Sequence, residues 1–118
     1  MENKLEEVKT LCRNFTTERD WQQFHNPKNL VMAMFKEVGE LGEIFQWKKC
    51  ENSNLKNLSN AELSHIKEEM ADIFIYLLRL SDELKIDLIS SALEKIEKNR
   101  IKYPVSKSKG VSTKHQDL

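Results

Sequence analysis

The stretch Leu30-Val31-Met32-Ala33-Met34-Phe35-Lys36-Glu37-Val38-Gly39-Glu40-Leu41-Gly42-Glu43-Ile44-Phe45 decides the fold. Its apolar residues return every three or four positions, the period of an amphipathic helix, and no alternating strand pattern interrupts them. Asn26 before it can cap the helix, and Pro27 suits its first turn. The predicted helix therefore starts near residue 26 and runs to about Lys48. Leu30, Met34, Val38, Leu41 and Phe45 lie on one side. Val31, Phe35 and Gly42 give it a second apolar flank. A helix apolar on two sides is buried on two sides, which in a chain this short points to a subunit interface. Gly39 and Gly42 each cost about 1 kcal/mol against Ala inside a helix, which suggests close approach by another helix.

The same period recurs on either side. Leu5, Val8, Leu11, Cys12 and Phe15 predict a first helix over roughly residues 3–18. After an irregular connection from Cys50 to Asn60, Ser59 or Asn60 can cap a third helix that reaches about Leu84, with Glu62 in its first turn. Its stripe is Leu63, Ile66, Met70, Ile73, Leu77 and Leu80. Asp87 predicts the cap of a fourth helix over about 88–101, with Leu88, Ala92, Leu93 and Ile96 inward and Pro104 as the stop. The expected fold is all-α, a four-helix bundle-type subunit. One domain over residues 1–104 would be followed by a mobile Ser/Lys-rich tail, residues 105–118.

Composition excludes several function classes. In 118 residues, 19 Lys and Arg balance 19 Asp and Glu, which argues against a nucleic-acid coat protein or a polybasic membrane binder. The longest apolar run, Ile73 to Leu78, is too short for a membrane span. Met1 to Glu7 carries no apolar signal-peptide core. Two cysteines, Cys12 and Cys50, are too few for a disulfide framework, so a reducing, cytoplasmic setting is expected. No P-loop, Rossmann or zinc pattern occurs.

The acids are the informative residues. With Glu37 set at zero on a helical projection, Leu30 falls near 20°, Leu41 near 40° and Ile44 about 20° the other way, so Glu37 lies inside the apolar arc. Glu40 lies at its edge. On the third helix Glu69 lies about 40° from Ile73 and 20° from Leu80, and Asp72 follows it by three residues. An ordinary amphipathic boundary would explain one such pair. Two pairs on facing helices would repel in a partly desolvated space, and a divalent cation removes that cost. An all-carboxylate set suits Mg²⁺ or Mn²⁺ rather than Zn²⁺, and Mg²⁺ usually meets substrate phosphates.

Aromatic and basic groups surround this set. Trp21 and Trp47 bracket the second helix and could stack on a nucleobase or simply fill the core. Tyr76, four residues after Asp72, could donate to a phosphate or pack. His25 lies in a polar connector and is a site candidate; His65 reads as surface, and Cys12 as core rather than nucleophile. Lys95, Lys98, Asn99, Arg100, Lys102 and Tyr103 end the fourth helix, either to compensate its dipole or to bind phosphate.

Glu37-x-x-Glu40 with Glu69-x-x-Asp72 resembles the ExxE…ExxD signature of the MazG-like all-α nucleoside triphosphate pyrophosphohydrolases. The segments Arg19-Asp20-Trp21-Gln22-Gln23-Phe24-His25, Phe45-Gln46-Trp47-Lys48, Asp72-Ile73-Phe74-Ile75-Tyr76-Leu77 and Asn99-Arg100-Ile101-Lys102-Tyr103-Pro104 are most similar to its dCTP pyrophosphatase branch. The resemblance covers about residues 5–104. It implies a homodimer or homotetramer with sites between subunits, and Mg²⁺-dependent hydrolysis of a deoxynucleoside triphosphate to the monophosphate and pyrophosphate. It implies metal binding by Glu37, Glu40, Glu69 and Asp72. Trp21, His25, Trp47, Tyr76 and Asn99 would surround base, sugar and phosphates, with Lys95 and Arg100 on phosphate. Cys12 stands where vertebrate-type relatives carry His, which leaves a broader dNTP range open. A dUTP-directed or broad NTP pyrophosphohydrolase, a nucleotide sensor and a non-catalytic dimerisation module are the alternatives.

Overall fold

A computed structural model describes residues 3–117, and every regular element among them is helical. The long helices are α1 (Lys4–Glu18), α2 (Pro27–Phe45), α3 (Asn60–Glu83) and α4 (Leu88–Lys102). The starts of α2, α3 and α4 follow from local sequence. The Asn26 side chain accepts from the Asn29 N–H, with Pro27 in the first turn of α2. Ser59 and Glu62 form a reciprocal capping box at α3. Asp87 accepts from the Ser90 N–H at α4. Asn3 does the same for Glu6 at α1. Without glycines at these turns, Asp20 and Lys85 take left-handed backbone (φ 53° and 57°) to leave α1 and α3.

The chain divides into two compact units, one ending at Lys85 and one starting at Ile86. In the first, α2 packs along α3, and α1 lies against α3. Lys48, just past α2, pairs with Glu62 in the first turn of α3 at 2.7 Å. His25, just before α2, meets Arg79 near the other end of α3. The two helices are therefore antiparallel, which sets Glu37 and Glu40 beside Glu69. Arg13 of α1 holds both carboxylate oxygens of Asp82 at 2.8 and 3.0 Å, fixing α1 to the last turns of α3.

The second unit holds α4 and a one-turn helix, α5 (Val105–Ser108), within the segment expected as a mobile tail, and a 3-10 turn at His115–Asp117. Met1, Glu2 and Leu118, assigned to the expected domain and tail, lie outside the described residues. Among the described residues no helix is long and apolar enough to cross a membrane.

The core departs from the expected stripes. Leu30 and Leu78 are the fully buried large side chains among the described residues, and Leu78 lies off the stripe read for α3. Leu11, Met70, Leu93 and Ile96, expected inward, are exposed. Periodicity identifies an apolar face but not whether this chain itself covers that face. Gly39 and Gly42 follow suit: a Cβ built at either would meet nothing within 4 Å, so the close helix approach expected there is not made among the described residues. α2 ends at Phe45, three residues short of the expected Lys48.

Candidate active site

Three acids converge where α2 faces α3. Glu37 and Glu40, one turn apart, and Glu69 each present a carboxylate oxygen, and these oxygens lie within 4.8 Å of one another. Glu69 is 7 % exposed. One of its oxygens lies 3.3 Å from His65 Nε2, one turn back; the other is buried with no hydrogen-bond partner among the described residues. Proximity of the Glu69 carboxyl, then burial, then Glu40 lift Glu37 to about 7. The nearest cation on Glu40 is the exposed Lys36 at 3.9 Å, which is worth little. An orphaned buried oxygen beside an acid driven toward protonation fits an all-oxygen site for a hard divalent cation. His65 is exposed, as expected of a surface residue, and its ring edge reaches the buried acid.

Glu37 also borders a cavity of about 490 Å³. Asp72 and Tyr76 of α3 line it, with Arg79, and so do Trp21 and His25 from the connector between α1 and α2. The helical period puts Tyr76 and Arg79 on the same side of α3 as Asp72. Phe15 of α1 closes the apolar wall, its ring edge-on to Trp21 at 5.8 Å and 72°. The Arg19 guanidinium caps the Phe15 ring at 3.6 Å. Trp21 is thus braced from behind, and His25 stands beside it with ring centroids 6.3 Å apart. Cys12 lines the cavity too, and burial pushes its thiol up, against a nucleophile's role. The cavity is aromatic at one side and carboxylate at another. Such a space suits a ligand that is itself part flat ring, part anion with its cation.

The structure joins Trp21, His25, Glu37, Asp72 and Tyr76 in one cavity, and Glu37, Glu40 and Glu69 in one cluster. Asp72 lies outside the close triad of acids, although it shares the cavity with Glu37. Trp47 does not line the cavity and is 89 % exposed. Lys95, Asn99 and Arg100 belong to the second unit, where Arg100 pairs with Glu97 at 3.0 Å. Lys102 and Lys98 crowd Lys95 and lower its pKa. Sequence reasoning missed Arg79, which is 4 % exposed at the cavity wall. Its signal was a lone cation in the apolar run Leu77-Leu78-Arg79-Leu80.

Comparison with known proteins agrees with this architecture. The MazG-like family profile matches residues 34–118. The dCTP pyrophosphatase 1 of Bos taurus is 44% identical over 117 residues, covering 99% of this chain and 69% of that protein. The dCTP pyrophosphatase 1 of Homo sapiens is 39% identical with the same coverage. The crystal structure of a pyrophosphatase from Archaeoglobus fulgidus superposes with a TM-score of 0.81 at 38% identity, covering 88% of this chain and 95% of that one.

Proposed function

The chain belongs to the MazG-like family, and on that premise we propose that it hydrolyses a deoxynucleoside triphosphate, dCTP or a close relative, to the monophosphate and pyrophosphate. The observation that carries this reading is the position of Glu37. It belongs to the acid triad and also lines the aromatic cavity, so a metal-bound triphosphate and its base fit one continuous space.

Glu37, Glu40, Glu69 and Asp72 are the residues that would hold the metal. Mg²⁺ is favoured, with Mn²⁺ as substitute, because every donor is a carboxylate oxygen. When bound, the metal supplies neutralisation of phosphate charge and a more acidic water. Glu37 accepts the proton of the water that attacks the α-phosphorus, since it alone of the triad reaches the cavity. Trp21 stacks on the base. His25 and Tyr76 present polar edges beside it.

Trp47, Lys95, Asn99 and Arg100 complete the substrate contacts in an assembled homodimer or homotetramer. The exposed apolar side chains of Met32, Phe35 and Met70 support assembly, as does the open face at Gly39 and Gly42. The free thiols of Cys12 and Cys50 fit a reducing, cytoplasmic setting. Nucleotide-pool cleaning is the corresponding role.

Incubation with each dNTP and Mg²⁺, followed by product separation, tests the reading. Monophosphate plus pyrophosphate is expected, with dCTP among the fastest substrates. Diphosphate plus phosphate would overturn attack at the α-phosphorus. Equal rates on all NTPs would replace the dCTP assignment with a broad-range one.

A further inference from the structure

Arg79 is 4 % exposed, and a guanidinium is taken out of water only where its nitrogens are matched. Two of its nitrogens are matched by acids: Nη1 donates to Asp82 at 3.1 Å and Nη2 to Glu83 at 2.7 Å. Asp82 is itself held by Arg13, so the plane of the Arg79 guanidinium is fixed from α1 as well as from α3. The remaining nitrogen, Nε, directs its N–H at Nδ1 of His25 at 3.5 Å.

That contact has one chemical consequence. A guanidinium only donates, so the atom it meets must offer a lone pair. Nδ1 of His25 is then unprotonated, and a neutral imidazole with a bare Nδ1 carries its proton on Nε2. We propose that Arg79 is a positioning residue that fixes His25 as the Nε2–H tautomer, so that the imidazole meets the nucleotide as a hydrogen-bond donor and never as an acceptor. The groups facing His25 disfavour its charged form: burial and the Arg79 charge lower its pKa, and Glu83 offsets them only in part. The inference rests on the nucleotide reading of the cavity. It adds that the ligand atom read by His25 is a lone-pair acceptor, on the base edge or on a phosphate.

Long-range ¹H–¹⁵N spectra of the full chain near neutral pH read the tautomer directly, with the His25 signals identified by their loss in His25→Asn. The expected result is a single Nε2–H form in the wild type and a mixture in Arg79→Lys, which keeps the charge but loses the fork. A wild-type Nδ1–H form, or an equal mixture, overturns the proposal, even if Arg79→Lys does not fold. The kinetic test is a double-mutant cycle for KM. Arg79→Lys should raise KM for dCTP about tenfold, the worth of one hydrogen bond, with a smaller change in kcat. It should add nothing in a His25→Ala background. Additive effects overturn the proposal, because a merely structural Arg79 would act whether or not His25 is present. Repeating the cycle with a base-free ribose triphosphate locates the acceptor: coupling with dCTP alone puts it on the base, and coupling with both puts it on phosphate. Absence of turnover on every dNTP would refute the hydrolase reading, while the tautomer spectrum would still decide the role of Arg79.

Discussion

Glu37 and Glu69 bring carboxylate oxygens to within 4.8 Å of one another across the α2–α3 interface, and that closeness lifts the Glu37 carboxyl to about 7. The native state therefore holds a proton there that the unfolded chain releases near 4.5. Between these values the folded form binds more protons, so metal-free stability falls as pH rises from 4.5 to 7. Mg²⁺ should reverse this slope by replacing the proton. Thermal denaturation at stepped pH, with Mg²⁺ and with chelator, checks it. In chelator Glu37→Gln should remove the fall and be more stable than the wild type at pH 8.

The same substitution should slow turnover. Glu37→Gln and Asp72→Asn are each expected to slow pyrophosphate release from dCTP at least about a hundredfold, the scale of losing a metal's charge stabilisation. Wild-type rates in either variant would sink the site assignment.

Trp21 and Trp47 should behave differently. Trp21→Ala removes the stacking plane and should raise KM roughly tenfold or more. It should also cost stability, because Phe15 loses its edge-on partner. Trp47 is 89 % exposed, so Trp47→Ala should change stability by no more than about 0.5 kcal/mol while still raising KM in the assembled enzyme. Urea melts and initial rates on the two variants separate these effects.

Phe35 is 66 % exposed on the outer flank of α2. Phe35→Asp should convert a dimer or tetramer into single chains in sedimentation velocity, with loss of activity. A wild type that sediments as one chain would remove the basis for intersubunit sites.

Ser59→Ala breaks the capping box of α3 and should cost about 1 kcal/mol in urea denaturation without altering KM.

Such a cap was legible because it depends on four adjacent residues. The same holds for Asn26 and Asp87, and for Glu37, whose place in the apolar arc follows from the helical period. What was not legible depends on partners distant in sequence. Arg79 reads only as a lone cation in an apolar run until Asp82, Glu83 and His25 are seen around its guanidinium. Leu93 and Ile96 have the spacing of inward residues, yet they are exposed, since spacing says that a face is apolar and not that anything lies on it. Trp47 is quoted by motif resemblance, but one chain does not bring it to the cavity.

The 2.7 Å pair of Lys48 and Glu62 joins the end of α2 to the start of α3, and the intervening residues are secured among themselves. Asn54 and Asn57 both donate to the Glu51 carbonyl. The segment is therefore a closed handle whose ends are set independently of its length. Doubling a loop adds only about 0.6 kcal/mol of closure entropy. A peptide tag or reporter placed between residues 52 and 57 should be carried with helix pairing and catalysis intact. This gives the protein a place to be extended that is neither terminus.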